Sequence, residues 1–144
     1  MKKLLLLLII PLFAFPILVC GQTSVSVDQL ERIQDNSSTC LGNPIPTFYY
    51  QSKVYTGVVF ENYSNGKVMM KGYCKNGKPH GEFKFYYDDG QLEHIQNWSL
   101  GKTNGIWKWY YQNGQLQMEA LHKNCEIVNL RHWDSNGNII PDSK

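Results

Sequence analysis

Two stretches decide the fold: Gly81-Glu82-Phe83-Lys84-Phe85-Tyr86-Tyr87-Asp88-Asp89-Gly90 and Gly105-Ile106-Trp107-Lys108-Trp109-Tyr110-Tyr111-Gln112-Asn113-Gly114. Each alternates side chains with a period of two and is rich in aromatic and β-branched residues, the pattern of a half-buried strand. Each ends in Asp-Gly or Asn-Gly and is followed by a second apolar run, Gln91 to Trp98 and Gln115 to His122. Asp-Gly and Asn-Gly supply the positive φ that a tight hairpin demands. One unit is therefore a β-hairpin.

Outward from these stretches the unit recurs. Gly66, Gly90, Gly114 and Gly137 are spaced 24, 24 and 23 residues apart. Gly57, Gly81 and Gly105 keep the 24-residue interval, and Gly77 and Gly101 fall between them. A fixed period of this length means one supersecondary unit copied along the chain, each copy burying surface against the next. The expected fold is all-β: an elongated, twisted antiparallel sheet of repeated hairpins over residues 48–140. Glycine or proline every ten residues or so leaves no segment long enough for a stable helix.

Alternation sorts the side chains into ladders. Val59, Phe83, Trp107 and Leu130 are equivalent, then Glu61, Phe85, Trp109 and His132, then Tyr63, Tyr87, Tyr111 and Asp134. These share one face, and Phe60, Lys84, Lys108 and Arg131 with Asn62, Tyr86, Tyr110 and Trp133 share the other. On the second strand Met70, His94 and Met118 align, as do Cys74, Trp98 and His122. Most of these rows are the core of a thin sheet. The central pair of copies offers a docking surface: Phe85, Tyr87, Trp109 and Tyr111 on one face, with Lys84 and Lys108 as the polar counterpart on the other.

The copies fade at both ends. Residues 48–56, with Tyr49 in register with Tyr73, read as the second strand of an incomplete leading copy, and Cys125 stands where a turn glycine is due. Residues 22–47 form a flank of different character. Asp28 to Ile33 is expected as a short helix with Asp28 and Glu31 as its capping pair, and Asp35 to Thr47 as a loop. Residues 141–144 are a tail.

Met1-Lys2-Lys3 followed by the apolar run Leu4 to Val19 reads as an export signal over residues 1–21, too short for a membrane span and interrupted by Pro11 and Pro16. Cleavage before Gln22 is preferred to a lipid on Cys20, because Val19 is not the small residue that usually precedes a lipidated cysteine. The expected location is outside the cytoplasm: periplasm, cell surface or secreted. Without residues 1–21 the chain has 123 residues, a single-domain length, and 12 basic against 12 acidic side chains. That balance argues against nucleic acid as a partner and gives no support for an anionic membrane.

Cys40, Cys74 and Cys125 remain, enough for one disulfide and one thiol. With two strands per copy at about 4.8 Å, Cys74 and Cys125 stand about 19 Å apart, beyond the roughly 7 Å limit for Cα atoms in a disulfide. The expected pair is Cys40 with Cys74.

The phrases Tyr55-Thr56-Gly57, Asn65-Gly66-Lys67, Asn76-Gly77-Lys78-Pro79-His80-Gly81, Phe85-Tyr86-Tyr87-Asp88-Asp89-Gly90 and Trp107-Lys108-Trp109-Tyr110-Tyr111-Gln112-Asn113-Gly114 resemble MORN-type repeats. More narrowly they are similar to the bacterial variant of the YwqK-like group, often labelled antitoxins. The likeness covers residues 48–140. It implies a β-hairpin array used for protein or membrane contact, with no catalytic residues to carry over. An antitoxin that acts inside the producing cell would be cytoplasmic, whereas this amino terminus reads as exported.

No other chemistry competes strongly. His80, His94, His122 and His132 fall at no metal-ligand spacing with each other or with the cysteines. Asp88 and Asp89 are adjacent carboxylates at a place where a turn wants Asp. A Cys-His hydrolase using Cys125 or Cys74 would need a cleft that a curved sheet of hairpins does not make. The expected protein is a non-enzymatic binding or scaffold module of the cell envelope, without cofactor or metal. Its partner is another protein, with toxin neutralisation or glycan binding as the alternatives and a membrane only through a lipid on Cys20. Intact-mass measurement of the exported protein is expected to give a chain beginning at Gln22; an acylated chain beginning at Cys20 would reverse the preference.

Overall fold

The computed structural model describes residues 24–40 and 43–141. The export signal and Cys20 lie outside the described residues. β1 (Ser24–Ser26) leads through a 3-10 turn (Val27–Gln29) into β2 (Glu31–Cys40), β3 (Asn43–Tyr50) and β4 (Lys53–Val54). The repeats follow as β5 (Gly57–Asn62), β6 (Val68–Lys75), β7 (Lys78–Pro79), β8 (Gly81–Tyr86), β9 (Leu92–Ser99), β10 (Lys102–Thr103), β11 (Gly105–Tyr110) and β12 (Leu116–Lys123). β13 (Glu126–Trp133) and β14 (Ile139–Ile140) end the array. No helix among the described residues is long and apolar enough to cross a membrane.

The repeats form one large antiparallel sheet in the order β5-β6-β8-β9-β11-β12-β13-β14, so sequence neighbours are spatial neighbours. The all-β hairpin array read from the period is the architecture. Its turns show why the glycines keep time. At Gly90 the φ is +97°, its N–H bonds to Tyr87 O at 2.9 Å, and Asp89 Oδ1 accepts from Gln91 N–H at 2.8 Å. A Cβ at Gly90 would meet nothing within 4 Å, so backbone conformation alone demands glycine there.

Two rows of hydrogen bonds stitch each copy to the next. At the turn of each repeat Tyr63, Tyr87 and Tyr111 donate their hydroxyls to Tyr86 O, Tyr110 O and Trp133 O at 2.6, 2.8 and 2.9 Å. At the other edge Gly77, Gly101 and Cys125 donate backbone N–H to Tyr55 O, Pro79 O and Thr103 O at 2.7, 2.8 and 3.0 Å.

The flank departs from expectation. Residues 31–40 and 43–50 are not loop or helix but two antiparallel strands, and β2, β3 and β4 form a separate three-stranded sheet. Helix is confined to the 3-10 turn, where Gln29 Oε1 accepts from Ser26 N–H at 3.3 Å; Asp28 and Glu31 do not cap it. The leading hairpin exists, but Tyr49 pairs with Val54 as Cys74 pairs with Pro79, so Tyr49 matches Cys74 and the alignment with Tyr73 is off by one residue. The large sheet starts at Gly57 rather than at residue 48. β1 lies parallel on the edge of β5 that β3 would otherwise fill, with Val25 opposite Val59.

Freed from that edge, β3 runs as a strap along the turns. Phe48 N–H bonds to Gly77 O at 2.8 Å, and Lys78 Nζ donates to Ile45 O at 2.8 Å. A Cβ on Gly77 would lie 2.5 Å from Thr47 Cγ2 and 2.9 Å from Phe48 O, and one on Gly101 would lie 2.7 Å from Ile45 Cγ2. Successive turns are about 10 Å apart, the length of three extended residues, so the strap advances about three residues per copy.

At the third turn the glycine is replaced by Cys125, and its side chain bonds to Cys40. This corrects the expected Cys40–Cys74 pair. That expectation rested on the distance between Cys74 and Cys125 alone, whereas β2, paired along the strap, ends with Cys40 at the last turn. Cys74 is free and buried. The bridge closes a separation of 85 residues, a loop whose closure reduces unfolded-state entropy by about 4–5 kcal/mol.

The main core sits where the 3-10 turn and the flank cover β1 and the first copies: Val25, Val27, Leu30, Tyr55, Val59, Met70, Cys74 and Phe83. Gly77→Ala combines a left-handed backbone with a collision against strap backbone, so it is expected to cost several kcal/mol, against about 1–2 kcal/mol for Gly90→Ala, which meets the backbone penalty alone. Urea titration of both variants checks the strap; equal losses would contradict its close passage.

Candidate interaction surface

Strand register turns the separate ladders into continuous rows. On the face against which Val27, Leu30 and Phe48 pack, here the inner face, Glu61, Met70, Phe85, His94, Trp109, Met118 and His132 are successive cross-strand partners. Phe85 and His94 stack with centroids 4.1 Å apart and planes at 11°, and His94 continues to Trp109 at 6.0 Å and 19°. Trp107 packs 5.7 Å from Trp109, 5.3 Å from Trp98 and 4.3 Å from His122. The rings turn their faces to one another, which takes up area that a ligand would need for stacking.

The structure separates the expected site residues into three groups. Phe85 and Trp109 belong to this inner stack. Tyr87 and Tyr111 are half-buried, and their hydroxyls are engaged by the backbone of the following copy. Lys84 and Lys108 lie in an outer-face row: Phe60, Lys71, Lys84, Ile95, Lys108, Glu119 and Arg131, again successive cross-strand partners. Lys84 Nζ is 3.0 Å from Glu82 Oε1, Lys108 Nζ is 3.6 Å from Glu119 Oε2, and Arg131 Nη2 is 3.7 Å from Glu119 Oε1.

Sequence reading missed Lys71. It shares two open grooves of about 450 Å³ with Tyr86, one bounded also by Val68 and Lys67, the other by Tyr73, Glu82 and Lys84. The cross-strand pairing of Lys71 with Lys84 is the signal that would have found it, since residues of adjacent strands in register share a face. The outer face thus presents cations between tyrosine rings, with acidic residues interspersed.

A third cavity, about 210 Å³, lies under the flank between Leu30, Phe48, Met70 and Phe83, with Arg32 and Glu61 also in its wall. Cys74 faces it, and burial pushes its thiol up to about 12, which keeps it protonated and unreactive at neutral pH. Among the described residues, no group of three acidic, histidine or cysteine side chains is placed to hold a metal.

At the far end of the strap, Thr103 is fully buried between Cys40 and His122. Its N–H donates to Cys40 Sγ at 3.3 Å, and its hydroxyl and His122 Nδ1 are hydrogen-bonded at 3.1 Å. Burial holds His122 below the ordinary histidine value, and it does the same to His94 against an opposing pull from Glu93. His122 Nε2 and His94 Nδ1 have no hydrogen-bond partner among the described residues. A histidine whose folded pKa is depressed stabilises the fold above its unfolded pKa, and that contribution is lost as pH falls from about 6.5 through the folded value. The melting temperature is expected to hold between pH 8 and 7 and to fall below about 6.5, before carboxylates protonate. An undiminished fall in the His94→Gln/His122→Gln double variant would contradict this cause.

A family model for the MORN repeat variant matches residues 79–99 and 103–124. These two adjacent matches cover the hairpins β8–β9 and β11–β12, the most regular part of the array. No curated protein and no solved structure matches the chain.

Proposed function

We propose that the chain is an exported, non-enzymatic binding module whose outer sheet face holds another protein of the cell envelope. The observation that carries this reading is the outer-face row, where Lys71, Lys84 and Lys108 recur beside Tyr73, Tyr86 and Tyr110 over an extended surface. Cations between amphipathic rings suit protein contact: tyrosine offers rigid apolar area with a polar tip, and the cations select orientation. The inner stack is the scaffold for that face, which moves the expected contact from Phe85, Trp109, Tyr87 and Tyr111 toward Lys84 and Lys108. The repeat-family match supports a binding role for the array.

The sulfur chemistry supports a non-enzymatic reading. Cys125 holds its sulfur in the bridge to Cys40, and Cys74 is a buried thiol far from its nucleophilic range.

Affinity capture from envelope extracts tests the proposal. Wild type is expected to retain one protein partner in stoichiometric amount, Lys84→Glu/Lys108→Glu to lose it, and a folded Trp109→Ala variant to keep it. Retention of peptidoglycan or a polysaccharide in place of a protein would favour the glycan alternative. A product that keeps Met1 in the cytoplasm and captures a toxin there would favour the antitoxin alternative.

A further inference from the structure

The last long strand is unfinished on its outer side. β13 pairs with β12 along one edge, but on the other β14 covers only His132 and Trp133. In the preceding copies β8 and β11 are followed by the eight-residue strands β9 and β12. Here the equivalent strand stops at two residues, and Pro141, which cannot donate to a ladder, follows. Among the described residues, no strand pairs with the outer edge of Glu126 to Arg131.

Burial tells the same story. Phe83 and Trp107 are each 7% exposed, whereas their equivalent Leu130 is 38% exposed and Ile127 is 52% exposed. A register shift in β13 determines how these residues point. His122 pairs with Ile127 but Leu121 pairs with Asn129, leaving Val128 as an extra residue. In an unbroken strand residues 127 and 130 would face opposite ways. With the bulge both lie on the inner face, opposite His122 and Ala120, while Glu126 and Arg131 lie on the outer face, opposite Lys123 and Glu119.

That pattern is complementary to itself. We propose that β13 pairs antiparallel with β13 of a second copy, about a two-fold axis between Val128 and Asn129, joining two arrays into one sheet. The pairing sets Ile127 beside the second copy's Leu130 and Glu126 beside the second copy's Arg131, and symmetry makes each contact twice. Charges then alternate across the junction: Lys123, Glu126, the second copy's Arg131, and the second copy's Glu119, which already holds that arginine at 3.7 Å. Bulges and charges on an edge strand ordinarily repel other edges. Here the two end charges are opposite in sign, so they reject a parallel neighbour and accept the antiparallel copy. The pairing is independent of the envelope partner proposed above, and it closes, leaving no further copy of this edge to bind.

Sedimentation equilibrium of the exported chain with its disulfide intact tests the proposal. A closed dimer is expected. Glu126→Arg and Arg131→Glu, singly, are expected to weaken it by about tenfold or more, and the charge-swapped double variant to restore it. Ile127→Lys, at a side chain already exposed, is expected to dissociate the dimer without unfolding the chain, and keeps the test decisive if Arg131→Glu, left beside Glu119, does not fold. A monomer at every concentration up to about 100 μM, open-ended association, single variants that dimerise like wild type, or a double variant that stays dissociated would each overturn it.

Discussion

The passage of β3 over the turns is the contact on which the rest of this structure depends. A hairpin array is close to one-dimensional: each copy touches only its neighbours, and a thin sheet buries little. The strap changes that. It contacts the first turn through Phe48 and Gly77 and the second through Ile45 with Gly101 and Lys78; Cys40, at the end of β2 and paired there with Asn43 of the strap, bonds to the third through Cys125. Turns two copies apart are thereby tied into one cooperative unit. The two glycines and the cysteine are three answers to one geometric demand. Each turn adopts positive φ; at the first two the strap fills the space a Cβ would need, and at the last Cys125 takes a covalent bond to Cys40.

The same contact explains a division of the core. Under the 3-10 turn and the flank, aliphatic side chains cover Val59 and Phe83, each large side chain contributing about 1.5–3 kcal/mol by burial. At the far end the chain has no further apolar segment to lay down among the described residues. There a smaller group of Cys40, Ile45, Thr103, His122 and Trp107 is buried instead. It contains two polar side chains joined by one hydrogen bond, Thr103 and His122, and a bridge in place of a wide apolar contact. Electrostatics and covalent closure take over where hydrophobic cover gives out.

The repeat was legible in the sequence because its determinants are local. Asp89-Gly90 and Asn113-Gly114 demand turns wherever they occur, and Phe83 to Tyr87 alternates over a span that no helix could use. The strap was not legible, because its determinants are distant. Asn36, Ser37, Ser38, Pro44 and Pro46 compose a loop by every local rule; they lie in strands because β2 and β3 pair with each other and β3 docks on turns far along the chain. The cysteine pairing failed for the same reason. At the candidate site, alternation assigned faces correctly but was silent on what each group touches. Phe85 and Lys84 lie on the expected opposite faces, yet only the structure shows that the Tyr87 hydroxyl is engaged by Tyr110 O while Lys84 stands in the open row with Lys71.

The ladder Val59, Phe83, Trp107, Leu130 brings these threads together. As the side chains leave the cover of the amino-terminal segment they first grow, from valine to phenylalanine to tryptophan, and the larger rings pack on one another and on His122. A wide ring is its own cover where no other segment arrives. The last member returns to leucine and is 38% exposed, against 7% for Phe83 and Trp107. A capping copy that needed only solubility would place a polar residue there. Leucine at that position, beside an unpaired strand edge whose end charges are of opposite sign, keeps the demand for burial that the earlier members satisfy within the chain.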